Sequence, residues 1–297
     1  MRHRHKAHLA LLATNIFFAI NFTAIKYLIN KNLIQPFALN LVRVAGCVLI
    51  LWILALASKS PTKIKKGDGW RFVACALTGI AINQLLFIKG LSITYSIHAS
   101  LLMLTTPILI TIFAATFLNE RISGERIAGV VLGLAGAFIL ITSRDVHGDA
   151  VDIFLGDILI LLNAISYTIY FILVKPLMSK YRSLTVIRMV FTIGLFMMLP
   201  FCWNEFQQIP WKNYAFTDSL VLGFIVIAGT LLAYIFNVYG IKILGATVAG
   251  SYIYSQPVFA ALIAMFVLGE RFTIYSILAG VMIFVGVYLA NKKRRNA

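Results

Sequence analysis

The chain has 297 residues, 61% of them hydrophobic and 12% charged, with 26 Lys and Arg against 10 Asp and Glu for a formal charge of +16. A soluble domain carries roughly a quarter charged residues, so this composition excludes an ordinary globular fold. A basic excess on a soluble chain points to nucleic acid; on a chain this apolar it is a record of membrane orientation, and no nucleic acid is expected as partner.

Ten apolar stretches follow one another, at 8–29, 36–57, 71–90, 95–118, 123–142, 153–174, 183–202, 218–240, 244–268 and 273–290. Each is long enough to cross a hydrocarbon core of about 30 Å as a helix, so the fold class is all-α integral membrane with ten transmembrane helices. The first follows Arg2, Arg4 and Lys6 and ends without a small-residue cleavage site, which reads as a retained helix rather than a signal peptide. With the N-terminus inside, 18 basic residues fall on the cytoplasmic side and 6 on the other. That split predicts a multi-pass protein of the plasma or inner membrane with both termini cytoplasmic. Trp52 and Trp70 are expected near the inner interface, Trp203 and Trp211 near the outer one.

Polar residues inside the spans are costly unless they face the bundle interior, and those at middle depth are candidates for a substrate pathway. In chain order these are Asn15 and Asn21 on the first span, then Asn83 and Gln84 on the third. The fourth span carries Thr105, Thr106 and Pro107, and the sixth Asn163, Ser166, Tyr167 and Tyr170. Tyr234 and Asn237 lie on the eighth, and Tyr252, Ser255, Gln256 and Pro257 on the ninth. The two prolines fall at mid-span, where each removes a backbone donor and kinks the helix; the hydroxyl and amide groups just before them can satisfy the freed carbonyls. The tyrosines predict a largely neutral cavity with aromatic walls, suited to amino-acid-like or amphipathic metabolites.

Only Arg43 and Arg188 are charges well inside spans. Such arginines snorkel or pair with a helix end. The pairings expected here are Arg43 with Glu270 and Arg188 with Glu120, as gates that alternately break. Lys26 and Lys175 read as interfacial anchors. His98 reads as a packing or hydrogen-bonding residue, and the spans hold no midplane carboxylate relay, which leaves any coupling ion unassigned. Gly129, Gly133 and Gly136 form a small face suited to close helix packing, including a homodimer contact. Cys47, Cys75 and Cys202 show no ligand spacing, so neither metal nor cofactor is expected.

The second half repeats the first. A shift of 150 residues sets Gly90 on Gly240, Pro107 on Pro257, Glu120-Arg121 on Glu270-Arg271 and Gly136 on Gly286, with 11 identities across the 58 positions 83–140. Earlier, Lys26 meets Lys175 and Arg43 meets Arg188 at slightly smaller offsets. Five spans per repeat is an odd number, so the halves must be related by inversion, a common plan for secondary transporters. The domain reading is a first repeat over 1–142, an extracytoplasmic linker over 143–152, and a second repeat with a basic tail over 153–297.

The sequences Thr-Thr-Pro-Ile…Leu-Asn-Glu-Arg-Ile and Ser-Gln-Pro-Val…Leu-Gly-Glu-Arg-Phe, with the opening Phe-Phe-Ala-Ile-Asn-Phe-Thr-Ala-Ile-Lys (17–26), resemble the ten-helix EamA-type branch of the drug/metabolite transporter superfamily. The chain departs from the family pattern at Phe18 and Ala19, where Trp-Gly is usual. The resemblance implies two inverted five-helix repeats around a central cavity and transport, often outward, of a small-molecule substrate, with membrane lipid the other partner. A channel, a structural or signalling membrane protein, and a lipid-modifying enzyme are the alternatives. An enzyme is disfavoured because the loops hold no clustered carboxylates, nucleophile–base pair or phosphate loop.

Overall fold

A computed structural model describes residues 2–57, 64–117, 124–142, 151–244, 252 and 255–291. Among these, the regular elements are all helical. Six helical runs are long and apolar enough to cross a membrane: Arg4–Asn30, Pro36–Ala57, Gly69–Ile93, Ile153–Lys180, Leu184–Gln207 and Phe216–Asn237. Four shorter apolar runs accompany them, at Ser96–Ile110, Ile127–Thr142, Gln256–Leu268 and Ile274–Leu289.

The helices are α1 (Arg2–Asn30), α2 (Pro36–Ala57), α3 (Gly69–Ala76), α4 (Ile82–Ile93), α5 (Ser96–Met103), α6 (Thr106–Phe117), α7 (Gly124–Thr142), α8 (Ile153–Lys180) and α9 (Ser183–Gln207). They continue as α10 (Phe216–Val226), α11 (Ala233–Leu244), α12 (Gln256–Leu268) and α13 (Ile274–Asn291). A π-helical turn, Leu77–Ala81, joins α3 to α4, and a second, Ile227–Leu232, joins α10 to α11.

Polarity is inverted relative to a water-soluble protein. Large apolar side chains such as Leu56, Phe138, Phe201, Phe266 and Tyr288 point outward, while Asn40, Arg43, Asp157, Asn163 and Arg188 are buried. An apolar perimeter of this extent needs a lipid solvent, and the polar groups it would strand are turned toward other helices. Packing follows from the small residues. α7 lies along α13, α2 along α9, α4 along α8, and α1 along α11 and α12. A Cβ on Gly286 would stand 2.5 Å from the Gly133 nitrogen and 2.7 Å from the Gly129 oxygen, so α7 and α13 touch backbone to backbone. The glycine face of α7 is therefore consumed within the chain, which removes it as a contact for a second copy.

The fourth and ninth spans depart from the expected kinked rods. α5 ends at Met103, a turn at Leu104 and Thr105 intervenes, and Pro107 opens α6 as its second residue. Pro257 likewise occupies the first turn of α12. Proline is well tolerated there because the missing N–H has no helical partner to lose, and the fourth span is a broken helix. Thr105 Oγ1 donates to the Leu102 carbonyl and Ser255 Oγ to the Tyr252 carbonyl, both at 2.7 Å, closing the turn before each proline.

Candidate functional site

The two π-helical turns carry closely related contacts. Gly79 faces the Tyr170 ring of α8 so tightly that a Cβ would overlap it, and a Cβ on Gly229 would stand 2.5 Å from Asn21 Oδ1 of α1. Lower on the same helices, Gly90 admits Ile160 and Gly240 admits Leu11. Widening a helix by one residue per turn breaks its hydrogen-bond ladder, and such turns concentrate at functional positions. Here the loosened backbone is partly satisfied from outside, because Ser166 Oγ donates to the Thr78 carbonyl at 2.7 Å. Asn83 and Asn163 hold α4 to α8 by a reciprocal clasp, each side-chain amide donating to the other's backbone carbonyl, at 3.1 and 2.7 Å. Their side-chain amides are thus engaged in helix pairing.

Between these elements sits a polar centre. Arg43 is 4% exposed and donates through Nη2 to Gln84 Oε1, while its Nε and Nη1 have no hydrogen-bond partner. Asn40, one turn earlier on α2, is fully buried with neither side-chain amide atom partnered. Tyr234 lies near Arg43, and Tyr167 and Tyr170 lie near Tyr234. The Tyr167 and Tyr170 rings lie 5.8 Å apart, and Tyr234 packs edge-on against Phe18 and Phe191. Cys47, one turn beyond Arg43, lines a small apolar crevice with Phe191, Thr230 and Tyr234. The structure therefore gathers Arg43, Gln84, Tyr167, Tyr170 and Tyr234, and adds Asn40, which sequence reasoning passed over. An amide three residues before the buried arginine, on the same helix face, was the available signal.

The expected gate between Arg43 and Glu270 does not form. Glu270 instead accepts from the Ser96 and Ile97 backbone nitrogens at 2.9 and 3.0 Å, capping α5, and stands 3.6 Å from Lys26 Nζ. The reason is depth: Arg43 lies seven residues, about 10 Å, into α2, whereas Glu270 sits in the entry to α13 level with the end of α1. Lys26 is correspondingly no interfacial anchor. It is 5% exposed, donates to the Thr94 carbonyl and lies over the Tyr95 ring. Thr94 Oγ1 donates in turn to Asp157 Oδ1, and Asp157 Oδ2 meets His98 Nδ1 at 2.8 Å. His98 is thus one end of a buried hydrogen-bonded chain running Glu270, Lys26, Thr94, Asp157, His98. Sequence separations of 59 to 244 residues hid it.

Arg188 is 3% exposed beneath the Trp52 ring, 4.8 Å away, and its Nε and Nη2 have no partner. Its expected mate Glu120 lies outside the described residues, as does the Lys175 side chain. Trp52 itself bonds Thr192 Oγ1 at 3.0 Å, an internal role, whereas Trp70, Trp203 and Trp211 are exposed. Asn15 bonds within its own helix to the Leu11 carbonyl, and Tyr252 meets His8 Nδ1 at 2.7 Å. Thr106 is buried with its hydroxyl unpartnered; Asn237 and Gln256 are half-buried.

Two ionic latches tie the halves of the chain together at opposite ends of the bundle. Lys31, just past α1, pairs with Asp218 of α10 at 2.9 Å, with Tyr27 donating to the same carboxylate. Lys180, ending α8, pairs with Asp68 before α3 at 2.7 Å, with Tyr181 donating to it. Hydrogen bonds from Lys180 and then Tyr181 hold the Asp68 carboxyl below the usual carboxylate range, and hydrogen bonding with Tyr27 and Asp218 raises Lys31 above that of a free lysine. Among the described residues no cluster of three or more His, Cys, Asp or Glu side chains could hold a metal ion.

Among the described residues, helices with an apolar perimeter, a broken span and a buried polar centre are those of a polytopic membrane protein. The chain belongs to the EamA-like transporter family, whose model matches it twice, at residues 5–142 and 154–292. It is 24% identical over 295 residues to an uncharacterized transporter of Archaeoglobus fulgidus, covering 97% of this chain and 98% of that one. It is also 25% identical over 289 residues to a probable terminal-alkyne amino-acid exporter of Streptantibioticus cattleyicolor, covering 97% and 94%. A solved crystal structure at 18% identity has a TM-score of 0.59 over 94% of this chain and 96% of that chain, a likeness of fold alone.

Proposed function

We propose that the protein is a secondary transporter that exports small metabolites, such as amino acids or amphipathic compounds, by alternating access between two inverted five-helix repeats. The observation that carries this reading is the doubled contact set. Lys31–Asp218 and Lys180–Asp68, Asn21–Gly229 and Tyr170–Gly79, and the two π-helical turns are related by a shift of 149 or 150 residues. Each latch joins the first helix of one half to the third span of the other, at opposite faces of the bundle. Two equivalent arrangements of one sequence plan supply two states of equal build, which is what rocking about a central site requires.

In the orientation that the basic loops favour, Lys180–Asp68 lies at the cytoplasmic face and Lys31–Asp218 at the outer one. Outward transport then breaks the outer latch and the buried Glu270–Lys26 network while the inner latch holds. The polar centre at Arg43, Gln84 and the three tyrosines is the cargo site, and the relative named as an amino-acid exporter supports an amino-acid-like cargo. Metabolite profiling of cells with and without the protein tests the reading: exported compounds accumulate outside only when it is present. Flux that saturates and is stimulated by cargo on the far side identifies a carrier; unsaturable flux without such stimulation refutes it in favour of a channel.

A further inference from the structure

Arg43 presents a physical imbalance that the fold does not resolve. A guanidinium at this depth in an apolar bundle is held by a carboxylate in an ordinary buried ion pair, because an isolated buried charge is strongly disfavoured. Among the described residues, ion pairs join Lys26 to Glu270, Lys31 to Asp218 and Lys180 to Asp68, Asp157 meets His98, and none of these carboxylates reaches Arg43. Its partner is the neutral Gln84, and two of its three nitrogens are buried and unpartnered. Asn40 adds a buried amide with both atoms unpartnered on the same face of α2. The neighbouring groups are the Cys47 thiol and the Tyr234 phenol, which line one crevice, with Tyr167 and Tyr170 near Tyr234. The repeat mate Arg188 differs: the Trp52 ring covers it as a cation–π partner.

We infer that Arg43, with Asn40 and Gln84, is the anchor for a carboxylate on the cargo, so that the transported compounds are carboxylic acids and not neutral or cationic amphiphiles. This rests on the transporter reading above. The guanidinium suits a carboxylate, and its unpartnered Nε and Nη1 each keep an N–H to donate to one. Asn40 supplies further N–H donors and one acceptor, the latter able to accept a hydrogen bond from an α-ammonium group. The tyrosines and Phe18 and Phe191 receive the apolar part of the compound. Because Arg43 is wholly enclosed, cargo reaches it when the bundle opens, and the charge is then neutralised before the site crosses the membrane.

The test uses the full-length protein in phosphatidylethanolamine/phosphatidylglycerol vesicles loaded with L-leucine or L-phenylalanine, each compared with its carboxamide. The wild type should release the acids in preference to the amides. Arg43→Gln should lose about tenfold to a hundredfold in apparent affinity for the acids, the worth of a charge-assisted hydrogen bond, with little change for the amides. Gln84→Glu is the second variant. It supplies the missing counter-charge from the protein, so the chain should fold with Tm equal to or above the wild type while the acid preference disappears. Equal release of acid and amide by the wild type, release of neither, or full acid preference in either variant overturns the assignment. The metabolite profile judges the transporter reading separately, since a carrier of neutral cargo passes that assay and fails this one.

Discussion

The Glu270–Lys26 pair offers the sharpest quantitative test of how the bundle is closed. Glu270 is 7% exposed and Lys26 5%, and the carboxylate carries two backbone N–H bonds as well as the ammonium 3.6 Å away. Glu270→Ala removes the cap of α5, worth about 1 kcal/mol. It also leaves a buried ammonium without its carboxylate, for which about 3–5 kcal/mol is the usual loss. The sum, about 4–6 kcal/mol, is a large part of the stability of a typical domain. Lys26→Met in the same background removes the stranded charge, so the double variant should be less damaged than the two single losses added together. A coupling of about 2 kcal/mol or more is expected from the double-mutant cycle, read by tryptophan fluorescence during denaturation in mixed micelles. Additivity within about 0.5 kcal/mol would refute the claim that these two charges share one buried site.

Three further outcomes follow from the geometry. Gly286→Ala drives a methyl group against the backbone of Gly129 and Gly133, so α7 and α13 must separate; a loss of about 1–3 kcal/mol is expected, and an unchanged Tm would contradict the packing. Asn83→Ala and Asn163→Ala each remove one hydrogen bond of the clasp, at about 1 kcal/mol apiece, and should couple in a double-mutant cycle because they share α4 and α8. Asp68 has its folded-state carboxyl held low by Lys180 and Tyr181. The stability it contributes is full above the unfolded carboxylate range, near pH 4, and disappears as pH falls through the lower folded value. Thermal midpoints measured down a pH series should therefore drop in acid for the wild type and show a smaller drop for Asp68→Asn; parallel curves would exclude the latch as a titrating element.

The apolar helical character and the repeated register were legible in the sequence, because both are one-dimensional properties. Apolar length sets what can cross a bilayer, and register at a fixed offset survives whatever the helices do in space. That is why Gly90 and Gly240, or Pro107 and Pro257, could be matched as positions before any contact was known. The sequence also marked Arg43 as exceptional, since a charge among apolar residues needs no structure to be noticed. Partners were another matter. Which carboxylate meets which cation depends on helix height and rotation, and about 10 Å of depth was enough to give Glu270 to Lys26 and leave Arg43 with Gln84. The same holds for the buried chain from Lys26 to His98, assembled from α1, α5, α8 and the entry to α13. The glycine face of α7 was legible as a place of close approach, but only tertiary packing decided that the last helix of the same chain fills it. Composition and register come from the residues alone; pairing comes from where the folded backbone carries them.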